Sequence, residues 1–430
     1  MPGITSVSTN RTWATSFTVT LLAMMCLQVS NLGFSPLVPA IQQEFGLSFS
    51  QVGLFAGMYG LISIFVSVPA GLLIRRIGEK TALTGGLLVV ALGLAWLSAA
   101  GSQPAAFGAR AVWLTGYRCA FIAVMTAIAL SCPPSVRGRS MGLLGAISAL
   151  GSVVGAPMGS VVAKDFGWRN GMLAYAGVAV IGGIVFVSLY RSRDAGDRVD
   201  AESSKSSPSS SNSASAPFRN PVVWAVALLS GLAGVTSLAT NAFLPSALKA
   251  VFHLDAVAAA SVISIGFAWA IALNLIFGFL MDRLNRAVVL GAVALLLMSG
   301  SLLMVSGDLV WFRAGAVGVL ALGHAAIQQS YALAADVVRG RQIGNVVGIV
   351  GGVAGIVNYL TPQALGILRD HSGGFDAGWY LLAGISGMTF LLVILLQRKS
   401  KILAGQIRES RGSLAADTAD RCEAAGRKTP

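Results

Sequence analysis

Polar side chains inside long apolar stretches are costly to bury, and they are therefore the first candidates for chemistry in this chain. Arg118 lies about eight residues into the apolar stretch 108–131. A guanidinium at that depth needs a counter-charge, a water-filled cavity or an anionic ligand. No carboxylate lies deep in any apolar stretch, so Arg118 is predicted to bind a substrate anion or to serve ion coupling. The alternative is a structural arginine bonded to carbonyls and polar side chains of its neighbours.

His324 is a second candidate, because it is the one histidine deep in an apolar stretch. Gln328 and Tyr331 follow it at i+4 and i+7, which places all three on one helical face. Histidine titrates near neutral pH, so His324 is predicted to take part in proton coupling or in anion binding. A neutral, hydrogen-bonded histidine is the alternative.

Amide and hydroxyl side chains form two further helical faces, and Tyr59 and Asn358 are added to them as substrate-binding candidates. These faces consist of Gln28, Asn31 and Ser35 in the first apolar stretch and of Ser230, Ser237 and Asn241 in the seventh. Both faces suit hydrogen bonding to a small polar ligand. Contacts between neighbouring helices are the alternative.

Transmembrane helices are the elements that must position these residues. Hydrophobic residues make up 55% of the 430 residues and charged residues 11%, and the mean hydropathy is +0.75. This composition excludes a soluble enzyme and a disordered chain, and it argues against a nucleic-acid binder despite the net charge of +13. The continuously apolar runs favour helices over barrel strands. Twelve spans are predicted, at 17–40, 52–73, 82–101, 108–131, 141–162, 171–190, 222–247, 257–281, 287–306, 311–335, 343–367 and 378–397.

The basic residues predict the orientation. With both termini cytoplasmic, 23 of the 30 Lys and Arg residues fall on the inner side and Arg118 lies within a span. The other six are assigned to the outer side: Arg110, Lys164, Arg169, Lys249, Arg313 and Arg369. This bias predicts a multi-pass protein of the cell (inner) membrane.

A Ser-rich, charged segment at 191–220 is predicted to be a cytoplasmic linker between two halves, 1–190 and 221–400, with a polar cytoplasmic tail at 401–430. The halves repeat each other, since RGRSMG at 137–142 recurs as RGRQIG at 339–344. Internal repeats of six spans are typical of secondary transporters whose substrate site lies between the halves.

Several motifs occur in the order expected of one family. The loop GLLIRRIGEK begins at Gly71 and its copy GFLMDRLNRA at Gly278, and a glycine pattern with Gly155 and Pro157 occupies the fifth span. Together with Arg118 in the fourth span and FGWRNGM at 166–172, they resemble the major facilitator superfamily, although Ile122 replaces a family glycine. The resemblance implies an all-α membrane protein of twelve helices in two six-helix pseudo-symmetric bundles, with spans 1, 4, 7 and 10 lining the cavity. It also implies a gating role for Gly71, Arg75, Arg76, Gly78, Gly278, Asp282, Arg283, Gly155 and Pro157.

The first loop departs from the family pattern, because Arg75 stands where the family has a carboxylate that caps a helix of the other half. An arginine cannot accept those hydrogen bonds and has the wrong charge for a helix N-terminus. Asp282 is the residue that keeps the corresponding role in the second copy. The alternative is that the first loop is only a basic turn that fixes the topology.

The function expected from these residues is transport rather than catalysis. The chain has no Walker A motif and no cysteine spacing typical of zinc, so no cofactor or metal is expected. The lack of deep carboxylates argues against cationic substrates and favours a small organic anion of the mono- or aromatic carboxylate type, moved by proton symport or anion exchange. The expected partners are this substrate, protons and the lipid bilayer, with a monomeric protein. The alternative is proton-driven efflux of a hydrophobic or neutral toxic compound.

Overall fold

The computed structural model describes residues 5–131, 137–190, 221–283, 286–337, 343–395 and 397, and these residues form helices without any strand. The predicted linker 191–220 and tail 401–430 lie outside the described residues. The helices are α1 (Thr5–Asn31), α2 (Val38–Phe45), α3 (Phe49–Ala99), α4 (Gln103–Ser131), α5 (Arg137–Phe166), α6 (Trp168–Leu189), α7 (Pro221–Phe252), α8 (Ala256–Arg283), α9 (Arg286–Leu303), α10 (Leu309–Val337), α11 (Ile343–Ser372) and α12 (Asp376–Leu395).

The length and composition of these helices fit a membrane. Within the described part of the chain, ten helical segments are long and apolar enough to cross one, and Val288–Leu303 in α9 is a shorter apolar helix. Large apolar side chains such as Phe65, Ile181 and Trp269 are exposed on the outside of the bundle. These side chains face lipid in a membrane, where their exposure has no hydrophobic cost.

Two local breaks shape the first three spans. A 3₁₀ turn (Ser35–Leu37) separates α1 from α2, and α2 ends at Gly46 with a φ of +61°. Gly78 interrupts α3 with a φ of +82° and a ψ of 159°, a conformation that other residues rarely adopt. The break lies near the junction of two apolar segments of α3, a first arm (Phe49–Ile74) and a second arm (Arg76–Ala99), which correspond to the second and third predicted spans.

The helices pack within the two halves and across them. In the first half, α1 contacts α4, α5 and α6, while α3 contacts α4 and α6. In the second half, α10 contacts α7, α8 and α9, while α11 contacts α7. The halves meet where α3 packs on α11 and where α5 packs on α8.

The contact between α3 and α11 is a seam of glycines. A Cβ on Gly53, Gly57 or Gly60 would come within 2.3, 2.6 or 2.2 Å of a carbonyl oxygen of α11. Those oxygens belong to Pro362, Tyr359 and Gly355, respectively. Any larger residue would hold the two backbones apart, so the three glycines allow the halves to touch directly.

The same seam continues to the end of the bundle where α3 begins and α11 ends, here named the Asp370 end. The Asp370 carboxylate accepts hydrogen bonds from the backbone N–H groups of Phe49 and Ser50. Nearby, Lys249 donates a hydrogen bond to Gln43 across the halves at 3.4 Å. The space between the halves is therefore closed at the Asp370 end.

Candidate substrate site

Two adjacent cavities lie between the halves. The Arg110 cavity has about 440 Å³ of empty space, and the His324 cavity has about 710 Å³. The Arg110 cavity is lined by Asn31, Leu32, Phe34, Ala56, Tyr59, Arg110, Leu238, Asn241, Ala242, Asn358 and Pro362. The His324 cavity is lined by Gln28, Asn31, Leu32, Tyr59, Tyr117, Phe121, Ser148, Gly234, Leu238, His324, Ile327, Ala354 and Asn358.

Arg110 is a buried cation on the cavity wall. Only 2% of the Arg110 surface is exposed, and its guanidinium carbon lies 4.0 Å from the ring centroid of Trp113 and 4.2 Å from that of Phe34. The ring of Phe55 is 5.2 Å away. The Nε and Nη1 atoms are buried and have no hydrogen-bond partner among the described residues. Three aromatic rings thus surround a guanidinium whose donors are left for a ligand.

Arg110, which the charge count assigned to the outer side, is buried inside α4 rather than exposed in a loop. Helical periodicity turns it toward the cavities together with Tyr117, seven residues later. Its assignment to the outer side of the membrane stays a prediction.

Arg118 is buried as expected, but it lies on a different side of α4, about 80° around the helix from Arg110. It is 8% exposed, and its Nε donates a hydrogen bond to the Ser67 hydroxyl at 2.9 Å. Its guanidinium carbon is 5.6 Å from the ring of Phe121. Arg118 is not in the lining of either cavity. Its role in binding or coupling therefore stays a prediction.

His324 lies on α10 with one face toward its cavity. The residue is 5% exposed, its ring meets Phe267 edge-on at 5.4 Å, and the backbone of Gly145 on α5 hydrogen-bonds the ring. Its Nε2 atom is buried and has no partner among the described residues. The helix continues through Gln328 and Tyr331, whose side chains lie outside the described residues.

Gln28 lines the His324 cavity, but both ends of its amide have protein partners. The Tyr117 hydroxyl donates to Gln28 Oε1 at 2.7 Å, and Gln28 Nε2 donates to the Ser148 hydroxyl. This chain joins α1, α4 and α5 within the first half, and it fixes the polar wall of the cavity.

Asn241 and Ser237 make contacts between helices. The Ser35 hydroxyl donates to Asn241 Oδ1 at 3.0 Å, and Asn241 Nδ2 donates to the Leu32 carbonyl at 3.1 Å, so that Asn241 ties α7 to the first half. Ser237 donates to the Leu320 carbonyl at 3.1 Å and is not in the lining of either cavity. Their amide and hydroxyl groups are engaged in holding helices together in this conformation.

Asn31, Tyr59 and Asn358 line both cavities, together with Leu32 and Leu238, and these five residues are named the shared wall. The wall brings together α1, the first arm of α3, α7 and α11. Asn358 Oδ1 is buried and has no hydrogen-bond partner among the described residues. The wall therefore contains a buried acceptor that is unpaired among the described residues.

The predicted gating residues differ in what surrounds them. Gly78 forms the break in α3, and a Cβ on Gly155 would come within 2.2 Å of the Val29 carbonyl oxygen, so Gly155 allows α5 to touch α1. Gly71 has open space around its Cβ position, Arg76 is exposed, and Pro157 lies inside α5. The side-chain surroundings of Arg75, Gly278, Asp282 and Arg283 lie outside the described residues.

Sequence reasoning missed Arg110, Tyr117 and Ser148 as cavity residues. The signal for Arg110 was present, because it lies inside the predicted span 108–131 and shares a helical face with Tyr117. Ser148 had no comparable signal, since it is one of many small residues in a glycine-rich helix.

A model of the Major Facilitator Superfamily matches residues 19–331 and 240–419 of the chain. The chain belongs to the Major Facilitator Superfamily. It is therefore a multi-pass membrane transporter rather than an enzyme, and its all-α fold of twelve helices in two bundles is the one predicted.

Two relatives have more specific names. The chain is 22% identical over 420 residues to the probable sulfoacetate transporter SauU of Cupriavidus necator, covering 91% of this chain and 97% of the relative. It is 24% identical over 286 residues to a probable L-galactonate transporter of Escherichia coli, covering 60% of this chain and 58% of that protein.

Solved structures share the fold. A bacterial homolog of the human lysosomal transporter Spinster, inward-facing and occupied, aligns with a TM-score of 0.71 at 13% identity. The alignment covers 90% of this chain and 97% of that one. The unoccupied inward-facing form aligns with a TM-score of 0.67.

Proposed function

We propose that this transporter moves a small organic anion of the carboxylate type by alternating access, with the anion bound at Arg110. The observation that carries the proposal is a cation that is 2% exposed, lines a cavity between the halves and has two buried donors without partners among the described residues. Burying a guanidinium in this way is costly unless an opposite charge arrives to pair with it. An anionic substrate supplies that charge.

The surroundings of Arg110 favour a bound ligand over an internal ion pair. The ion pair that the described residues contain joins Arg169 to Glu44, on a different helix from Arg110 and away from both cavities. Aromatic rings rather than carboxylates surround Arg110. The named relatives, which carry sulfoacetate and L-galactonate by their names, are in keeping with an organic anion.

Orientation and coupling complete the proposal. With both termini cytoplasmic in the inner membrane, the closed Asp370 end faces outward and the described conformation is inward-facing. His324 carries the coupling proton on Nε2, and Arg118 acts as a second positive charge along α4. The mode is proton symport or anion exchange, and the protein works as a monomer.

Uptake into proteoliposomes tests the anion. The purified protein is reconstituted, and a panel of labelled mono- and aromatic carboxylates is supplied with and without an imposed pH gradient. Arg110→Gln is expected to lower uptake more than tenfold, because the anion loses a buried charged partner worth about 1.5–3 kcal/mol. Lys164→Gln, which removes an exposed charge at the end of α5, is the matched control and is expected to transport normally.

The same assay contains the outcomes that contradict the proposal. No uptake of any anion, with export of hydrophobic compounds by the same vesicles, would establish the efflux alternative. Normal uptake by Arg110→Gln would remove Arg110 from the site. Normal gradient dependence in His324→Gln or Arg118→Gln would remove that residue from coupling.

A further inference from the structure

We propose that Asn358 makes the transporter selective for hydroxylated carboxylates. The carboxylate of the substrate pairs with Arg110, and a hydroxyl of the same molecule donates a hydrogen bond to Asn358 Oδ1. The proposal rests on the proposed function, and it narrows the substrate class of the same site to hydroxy acids.

The position of the anionic group follows from the packing around Arg110. Rings of Phe34, Phe55 and Trp113 lie within 5.2 Å of the guanidinium carbon and fill its apolar surroundings. A ligand approaches the guanidinium from the cavity that Arg110 lines, and the buried Nε and Nη1 have no hydrogen-bond partner among the described residues. A carboxylate in that cavity pairs with the positive charge of the guanidinium.

The hydroxyl position follows from the shared wall. Asn358 lines the Arg110 cavity as well as the His324 cavity, and its buried Oδ1 lacks a donor among the described residues. A buried carbonyl oxygen without a donor is unfavourable, and an O–H or N–H group on the ligand relieves the cost. An anion without a hydroxyl would pair with Arg110 and make no hydrogen bond to Asn358.

Asn241 cannot replace Asn358 in this role while the Asp370 end is closed. Its Oδ1 accepts from Ser35 and its Nδ2 donates to Leu32, so both ends of the amide are occupied. The selection is therefore assigned to Asn358, and an aromatic carboxylate, whose ring offers no donor, is the poorer substrate of this cavity.

Matched pairs of acids test the selection. Uptake of labelled gluconate is compared with that of hexanoate, and uptake of 3-hydroxybutyrate with that of butyrate, by the full chain in proteoliposomes. The unmodified protein is expected to prefer the hydroxylated member of each pair by about tenfold or more, since sites built for a hydroxyl reject analogues that lack it. Asn358→Leu is expected to bring the ratio of hydroxylated to unsubstituted acid taken up close to one.

Asn274→Leu is the matched control. Asn274 is also a buried asparagine whose Oδ1 lacks a partner in the described part of the chain, but it lies on α8 and lines neither cavity. This variant is expected to keep the preference. Asn358→Ser, which restores a small acceptor, is expected to retain part of the preference and serves if the leucine variant does not fold.

Each outcome decides one proposal. Equal uptake of both members of a pair by the unmodified protein overturns the selection and leaves anion transport intact. Full preference in Asn358→Leu overturns the role of Asn358. No uptake of either acid, or of any anion in the wider panel, overturns the proposed function itself.

Discussion

The carboxylate of Asp370, at the end of α11, caps the N-terminus of α3 through Ser50. The backbone N–H of Ser50 donates to Asp370 Oδ2 at 2.8 Å, and the Ser50 hydroxyl donates to the same oxygen. The N–H of Phe49 donates to Oδ1 at 2.9 Å, and the neighbouring Arg369 lies over the rings of Phe49 and Phe375. A negative charge at a helix N-terminus is favourable, so this contact stabilises the closed Asp370 end.

Removal of this cap is expected to favour opening of the Asp370 end. Asp370→Ala removes a helix cap that stabilises the closed conformation by about 1 kcal/mol, so the ratio of open to closed molecules is expected to rise about fivefold. Spin labels on Ser102 and Ser306, exposed positions in the loops that follow α3 and α9, report the opening as a longer distance. Asp376→Ala is the matched control, and an equal shift in that variant would contradict a specific cap at Asp370.

The cap is expected to withstand mild acid. Slight burial raises the pKa of Asp370, but the hydrogen bonds from Ser50 and Phe49 outweigh that effect and hold the pKa below its usual value. Because the pKa is lowered in the closed form, the stabilisation is present above the usual carboxylate pKa and is lost only as the pH falls through the lowered value. The same spin-label distances are therefore expected to stay constant between pH 8 and pH 5, in contrast to what a protonation switch at Asp370 would give.

Gly57→Ala is expected to separate α3 from α11. The added Cβ would lie 2.6 Å from the Tyr359 carbonyl oxygen, and overpacking of this kind costs about 1–3 kcal/mol. The closed conformation should become less populated, with a longer Ser102–Ser306 distance and slower uptake. Gly177→Ala, where a Cβ meets no atom within 4 Å, should change neither quantity.

Gly78→Ala is expected to destabilise the turn between the arms of α3. The φ of +82° with a ψ of 159° is strained for alanine by about 1–3 kcal/mol. Thermal unfolding in detergent should occur at a lower temperature than in Gly71→Ala, since Gly71 is helical and has open space around its Cβ position. Equal unfolding temperatures would show that Gly78 matters for motion or recognition rather than for this backbone conformation.

Local patterns predicted much of the fold and part of the site. The spans follow from apolar runs and charge placement, and the polar faces with Asn31 and His324 follow from helical spacing, so these residues were expected between the halves before any coordinates. Whether they bind the substrate stays a prediction. Arg110 was not expected in the cavity lining because a charge near the start of a span is also typical of an interfacial anchor.

Contacts between distant parts of the chain were beyond prediction. Gly57 and Tyr359 are about 300 residues apart, and nothing in either local sequence indicates that their backbones touch. The hydrogen bond from Ser35 to Asn241 was unpredictable for the same reason, because it joins residues of the two halves. Both the glycine contact and this hydrogen bond depend on how the two halves pack against each other.

Under the proposed function, the buried charge of Arg110 has a consequence for the energetics of the transport cycle. When a monovalent anion occupies the cavity and His324 carries no proton, the moving part of the protein carries one unit less positive charge than when the cavity is empty. A membrane voltage therefore acts more strongly on the return of the empty transporter than on the loaded step. Cycling by exchange, in which an anion is bound during both crossings, would avoid this voltage-sensitive return.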